Sequence, residues 1–201
     1  MEKFNNKYRI PSARLPWWDY GRNAAYFVTI CTKNRQYYFG DIIVETPESG
    51  VSTNKMVLSP IGELAGKYWL EIPQHFPFVK LGAFVIMPHH VHGIIIIDKP
   101  DGDANTMVET THALSLPIPK PKPQPQSMGH ERLQNQGKNT LSSIVGSYKS
   151  VVTKQARIIN PHFAWQSRFY DHIIRDKKSY NQITEYIINN PLNWKDDKIH
   201  A

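Results

Sequence analysis

Along this chain the apolar residues recur with two different periods, and the switches between them outline the secondary structure. The run Ala24–Thr32 (AAYFVTICT) is aromatic and β-branched and follows the turn-prone Tyr20, Gly21, Arg22 and Asn23, which predicts a buried strand. Two shorter apolar runs, Ile42–Glu45 and Lys55–Leu58, flank a polar stretch containing Pro, Ser and Gly, the pattern of a peripheral hairpin. Ser59 precedes Pro60 at a first helical position, and Ile61, Leu64, Ala65, Tyr68, Trp69 and Ile72 then recur at helical spacing, so a helix should run to about Pro73. Val79–Met87 and Val91–Asp98 are apolar runs joined by Pro88 and His89, which predicts an antiparallel hairpin at the centre of a sheet, its second strand opening on histidines.

From residue 99 to about residue 138 the chain turns polar and includes LPIPKPKPQPQ, which cannot form helix and has little to bury. A flexible or polyproline-type insertion is expected there. A helix follows over Thr140–Ile159, with Leu141, Ile144, Val145, Tyr148, Val151, Val152, Ala156 and Ile159 on one face and Lys149, Lys154 and Arg157 elsewhere. Phe163–Asp176 reads as one or two short strands, and a last helix carries Tyr180, Ile183, Tyr186 and Ile187 on one face. Ser179 and Gln182 fit a capping box at its start, and Pro191 stops it after Asn190. The order strand, helix, strand, strand, helix, strand predicts an α+β fold: a ferredoxin-like or RRM-like antiparallel sheet with helices packed on it and an extra C-terminal helix. We expect a single domain over residues 1–201, in which 1–23 form a basic N-terminal arm and 99–138 the insertion.

Composition narrows the partners. Lys and Arg outnumber Asp and Glu by 24 to 17, a formal charge of +7 that favours polyanions such as nucleic acid without choosing among them. Cys31 is the only cysteine, which excludes an intrachain disulfide and a thiolate metal cluster and fits a reducing, cytoplasmic setting. The first residues lack an apolar signal core, and Val91–Ile97 is far shorter than the ~20 residues of a membrane span, so no membrane association is expected.

The chemistry concentrates in two places. In MPHHVHGIIIID, His90 and His92 are separated by one residue, so on a strand both imidazoles project from the same face and can share a metal ion, while Val91 points into apolar packing. With nine histidines in the chain, about 0.4 such pairs arise by chance, so the spacing alone is also compatible with polar strand-end residues or a structural site. In the last helix Tyr186 and Asn190 stand four residues apart on one face, with the amide oxygen available as a third ligand. A tyrosine beside a metal is a candidate nucleophile, although Tyr186 also fits the helix's apolar stripe.

Taken together in this order, MPHHVHGIIII, GSYKSVVTK, WQSRFYDHIIRD and EYIINNP resemble the bacterial REP-associated tyrosine transposases, relatives of small insertion-sequence transposases of the HUH type. The resemblance extends from Tyr26 to Asn193. It implies that His90 and His92 are metal ligands, that Asn190 completes the site, and that Tyr186 on the C-terminal helix is the catalytic nucleophile. It also implies a divalent cofactor, Mg²⁺ or Mn²⁺, a substrate of single-stranded or hairpin DNA, a 5′-phosphotyrosine intermediate, and a monomer or homodimer. Arg9, Arg14, Lys149, Lys154 and Arg157 are candidate contacts to the DNA backbone, with Trp17 and Trp18 as stacking surfaces. Tyr170 reads as packing or a DNA contact rather than the nucleophile. Relatives commonly carry Asn where His89 stands; a solvent-facing turn residue is the reading its position favours, with competition for the metal or contact to DNA as the alternatives.

Three other readings use the same residues differently: a non-catalytic RRM-like nucleic-acid-binding module, an inactive domesticated transposase, and a metal hydrolase whose histidines activate water. Only the transferase reading requires the Tyr186 hydroxyl.

Overall fold

The computed structural model describes residues 15, 17–45, 53–100 and 137–194, together with the backbone of a small ribbon pairing β1 (Lys3–Phe4) with β2 (Lys7–Tyr8). Most of the expected insertion, residues 101–136, lies outside the described residues, as do Arg9 and Arg14. β3 (Ala24–Cys31) is followed by the hairpin of β4 (Gly40–Glu45) and β5 (Thr53–Leu58), then by α1 (Pro60–Leu70) and the single turn α2 (Ile72–His75). β6 (Val79–Met87), β7 (His90–Ile97), α3 (Leu141–Ile159), β8 (Tyr170–Ile174) and α4 (Lys177–Asn189) complete the order.

The main sheet is antiparallel, with strand order β6-β7-β3-β8, and β4 and β5 form a separate two-stranded sheet. Numbering its strands by sequence gives 2-3-1-4, the arrangement obtained when each of the two outer strands is reached by a helical crossover. This is the expected α+β architecture. The β6–β7 hairpin is not at the sheet centre, however: β6 is an edge, and the two middle strands are β7 and β3. The apolar run of β6 misleads because helices cover both of its faces, making an edge strand read as an interior one.

Local chemistry sets the helix ends. Ser59 Oγ accepts the Gly62 N–H at 3.1 Å and Pro60 supplies a fixed φ at the first position, so α1 begins where predicted. It ends at Leu70, and Pro73 instead lies in the first turn of α2, where its missing N–H breaks no bond. Asp176, not Ser179, caps α4. Its carboxylate accepts the Ser179 N–H at 2.8 Å and the Ser179 hydroxyl at 2.9 Å, so the helix starts a turn earlier than the capping-box pattern indicated.

Two cores result, one on each sheet face. Tyr26, Val28 and Ile30 of β3 and Val91, Ile95 and Ile97 of β7 meet Trp69 of α1 and Leu141, Ile144, Val145, Tyr148, Val152 and Ala156 of α3. Ile159, assigned to that helix face from its spacing, is 51% exposed because the helix ends there. Ala25, Ile94, Ile174 and Ile187 form the smaller core beneath α4. Each fully buried branched aliphatic contributes ~1.5–3 kcal/mol, so the larger cluster dominates stability. Trp69 lies flat against β7 at Gly93, where an added Cβ would stand 2.2 Å from Trp69 Cζ2.

The Gly93→Ala variant should therefore lose about 1–3 kcal/mol by overpacking, read as a lower urea midpoint at unchanged slope. Wild-type stability in that variant would mean that Trp69 does not rest on this strand.

Candidate active site

The alternation of β7 sends Val91 into the larger core and His90 and His92 to the opposite face, beneath α4. Both imidazoles are essentially inaccessible, at 0% and 1% exposure, and their ring centroids lie 4.4 Å apart. Register supplies their supports. Thr29, opposite His92 on β3, shares a hydrogen bond with its Nδ1 at 2.8 Å. When that nitrogen carries the proton and donates it to the Thr29 hydroxyl, Nε2 is left with its lone pair outward, the form that binds metals.

His89 corrects the expectation of a solvent-facing turn residue, being 1% exposed with its Nδ1 3.1 Å from His90 Nδ1. Its burial follows from Tyr37 and Trp194, whose rings pack on it at centroid distances of 5.4 and 5.2 Å. His89 is thus a support for His90, holding that ring through the Nδ1 contact.

α4 brings the remaining groups. Tyr186 Oη lies 3.3 Å from His92 Nε2, so the phenol reaches the imidazole nitrogen that Thr29 leaves available. Tyr186 is 43% exposed, and access from solvent therefore comes from its side. Asn190, one turn on, is 2% exposed, and its Oδ1 is buried without a hydrogen bond. One turn further, Trp194 stacks on His90 at 6.1 Å and 22°. Asn190 is thus bracketed by two residues that touch the histidines. A buried amide oxygen left unbonded costs about 1–3 kcal/mol, which a cation would relieve. Among the described residues no group of three or more His, Cys, Asp and Glu side chains converges. Two neutral imidazoles and an amide oxygen fit a divalent ion of the Mn²⁺ or Mg²⁺ kind.

Burial keeps the imidazoles uncharged. Desolvation pushes His92 down to about 3, with the nearby His89 adding to the effect, and desolvation followed by His92 and His89 holds His90 well below its ordinary value. Burial thus holds both rings neutral, the form that metal ligation requires.

The other sequence candidates divide. Lys149, Lys154 and Arg157 come together along a cleft of about 580 Å³ between α3 and residues 164–167, with Ser150 and Thr153 between them. Lys149 Nζ donates to the Gln166 carbonyl at 2.5 Å and Arg157 Nε to the Phe163 carbonyl at 3.1 Å. Gln166 N donates to Cys31 O, and Cys31 pairs with His90, so the cleft opens at the same end of the sheet as the histidines, on the opposite layer. Trp17 and Trp18 are not brought to the site. Trp18 Nε1 donates to Tyr26 Oη at 3.1 Å, toward the far end of β3, and Trp17, 53% exposed, packs edge-on against it.

Thr29 and Trp194 went unnoticed in the sequence. Strand register, which no local pattern reveals, was needed for Thr29; Trp194 carried a legible signal, continuing the four-residue spacing of Tyr186 and Asn190.

Fold and site together define an α+β protein whose antiparallel sheet presents a buried histidine pair to a tyrosine from its C-terminal helix. An uncharacterized protein of Haemophilus influenzae is 38% identical over 192 residues, which span 94% of this chain and 92% of that protein, and the chain belongs to the same family. No protein-family model matches it. Among solved structures, a REP-associated tyrosine transposase bound to a REP hairpin aligns with a TM-score of 0.49 at 17% identity, covering 92% of this chain and 74% of that one. A candidate transposase from Deinococcus radiodurans aligns with a TM-score of 0.41 at 12% identity, covering 90% and 97%.

The buried neutral imidazoles set a pH dependence. The unfolded chain takes up protons below about pH 6.5 while the folded site does not, so stability is complete above that value and falls as pH drops through the window toward 3. In chelator, denaturation midpoints should decline with a slope of up to about 1.4 kcal/mol per pH unit for each histidine. His92→Gln should flatten the decline; a pH-independent stability between 6.5 and 5 would contradict the burial.

Proposed function

We propose that this chain is a metal-dependent, single-tyrosine DNA strand transferase of the HUH type, acting on single-stranded DNA flanked by a hairpin. The observation that carries this reading is the 3.3 Å approach of Tyr186 Oη to His92 Nε2, beside a second imidazole and an unbonded buried amide oxygen. The motif resemblance to REP-associated tyrosine transposases supports it independently.

His90, His92 and Asn190 would hold the divalent ion, which when bound would polarise the scissile phosphate and stabilise the charge that develops on its oxygens. The Tyr186 phenol gives up its proton to solvent as its oxygen attacks that phosphorus, the phosphodiester P–O bond to the neighbouring 3′ oxygen breaks, and that oxygen takes up a proton from solvent and leaves as a 3′-hydroxyl. A 5′-phosphotyrosine remains. Rejoining is the reverse: a 3′-hydroxyl attacks the phosphotyrosine and the phenol departs. The bond energy is conserved in the covalent link, so no nucleotide cofactor is needed. Thr29 and His89 orient the two imidazoles, and Trp194 shields them from water. Lys149, Lys154 and Arg157 supply a positive cleft for backbone phosphates.

Incubation with hairpin oligonucleotides and Mn²⁺ should give a covalent protein–DNA adduct on a denaturing gel, abolished by Tyr186→Phe and by chelation. Binding without any adduct across a broad hairpin library would favour a non-catalytic module, and hydrolysis indifferent to Tyr186→Phe a metal hydrolase. The double variant Lys154→Ala/Arg157→Ala should reduce the steepness of log Kd against log salt by about 1.4 for single strands, close to two phosphate contacts. An unchanged slope would remove the cleft from the DNA path.

A further inference from the structure

α4 packs on β6 and β7 and over the Ala25 and Ile174 ends of β3 and β8, which among the described residues leaves the other half of the β3–β8 surface open. Alternation places Phe27, Tyr170 and His172 on that same face. Tyr170 is 52% exposed there, His172 is exposed and Phe27 half-buried. Single exposed apolar side chains are ordinary on a soluble protein. Here, however, the rings are continuous with the candidate active site. Tyr170 meets Phe27 edge-on at 6.4 Å and 70°, and Phe27 in turn lies flat on His92 at 5.3 Å and 28° and edge-on to Tyr186 at 6.1 Å and 83°.

Register makes the connection specific. Thr29 has two cross-strand neighbours, His92 on β7 and Tyr170 on β8, so the exposed ring stands two strand spacings from the metal-site imidazole, about 10 Å along the same face.

We propose that this open face is a stacking subsite for a nucleobase of single-stranded nucleic acid, with Tyr170 as its platform, seating the nucleotide next to the phosphate that Tyr186 attacks. The proposal rests on the transferase reading for the position of that phosphate, but the stacking contact does not require cleavage. A base is the occupant that the chemistry favours. Every base presents a π face to an aromatic ring, a sheet bearing exposed rings is a recurrent surface for splayed single strands, and a chain of formal charge +7 attracts the attached phosphates. The strip is narrow and flanked by the exposed, polar His172, which suits one or two stacked rings better than a broad apolar partner.

The test uses the full chain without metal and a hairpin oligonucleotide with single-stranded thymidine tails, 2-aminopurine replacing one thymidine at a time. Fluorescence should be quenched at one or two adjacent positions near the stem. Tyr170→Ala should remove that quenching and weaken binding about 10-fold or more, while leaving the salt dependence unchanged, because stacking neutralises no phosphate. Tyr170→Phe and Tyr170→Trp should retain both. The exposed position allows Tyr170→Ala to fold, which its thermal midpoint verifies. Wild-type protein with no quenched position, or Tyr170→Ala with wild-type quenching, overturns the proposal. So does a Tyr170→Ala effect confined to sedimentation of the free protein, since the open β8 edge would then pair with a second copy. Parallel incubation with Mn²⁺ separates the two claims: adduct formation without Tyr170-dependent quenching removes only the subsite, and Tyr170-dependent quenching without adduct removes only the transferase.

Discussion

The parity of β7 governs this molecule. Val91, Ile95 and Ile97 must face the larger core, because Trp69, Tyr148 and the aliphatic residues of α1 and α3 have nowhere else to bury their surface. Strand geometry then obliges His90 and His92 to occupy the other face. A slip of one residue against β3 would bring His90 and His92 into that core and turn Val91 out of it, whereas Ile94 and Ile96 would merely replace Ile95 and Ile97, so the His90–Gly93 half of the strand enforces the register of the site. Trp69 seated on Gly93 adds a steric lock, since that contact is available only where the strand has no side chain.

A histidine pair held so deeply is expensive in solvation terms and is stable only uncharged. The surroundings are arranged accordingly: Thr29 and His89 each bond one imidazole nitrogen, and Phe27 and Trp194 cover the ring faces with aromatic surface. Asn190 is the discordant member, with a buried amide oxygen that no hydrogen bond satisfies. Local rules of polar satisfaction are commonly broken where function requires it, and the break here coincides with the two imidazoles and the tyrosine.

The C-terminal helix adds a phenol to this histidine pocket. Capped by Asp176 and fixed by Ile187 in the smaller core, α4 brings Tyr186 to His92, with Asn190 one turn on and Trp194 beyond it against His89 and His90. The positive cleft of α3 and the open aromatic strip of β3 and β8 lie toward the same end of the sheet, on opposite layers. A strand gripped by its phosphates in the first and by a base on the second would pass around that end, close to Tyr186.

By itself the sequence determined the elements and the composition of the site. Periodicity located the three helices, which each bury one face, and continuous apolar runs located the main-sheet strands that are covered on both. The H-x-H pair and the Tyr–Asn pair were legible for the same reason: both members of each lie on one element, where spacing fixes direction. What only the tertiary structure decided are relations between elements. The edge position of β6, the Thr29 support, the inward turn of His89 beneath Tyr37 and Trp194, and the approach of Tyr186 to His92 depend on register and docking, which are set by the summed burial of distant residues. No local pattern encodes that sum, so the candidate residues could be named from the chain, whereas their convergence required the fold.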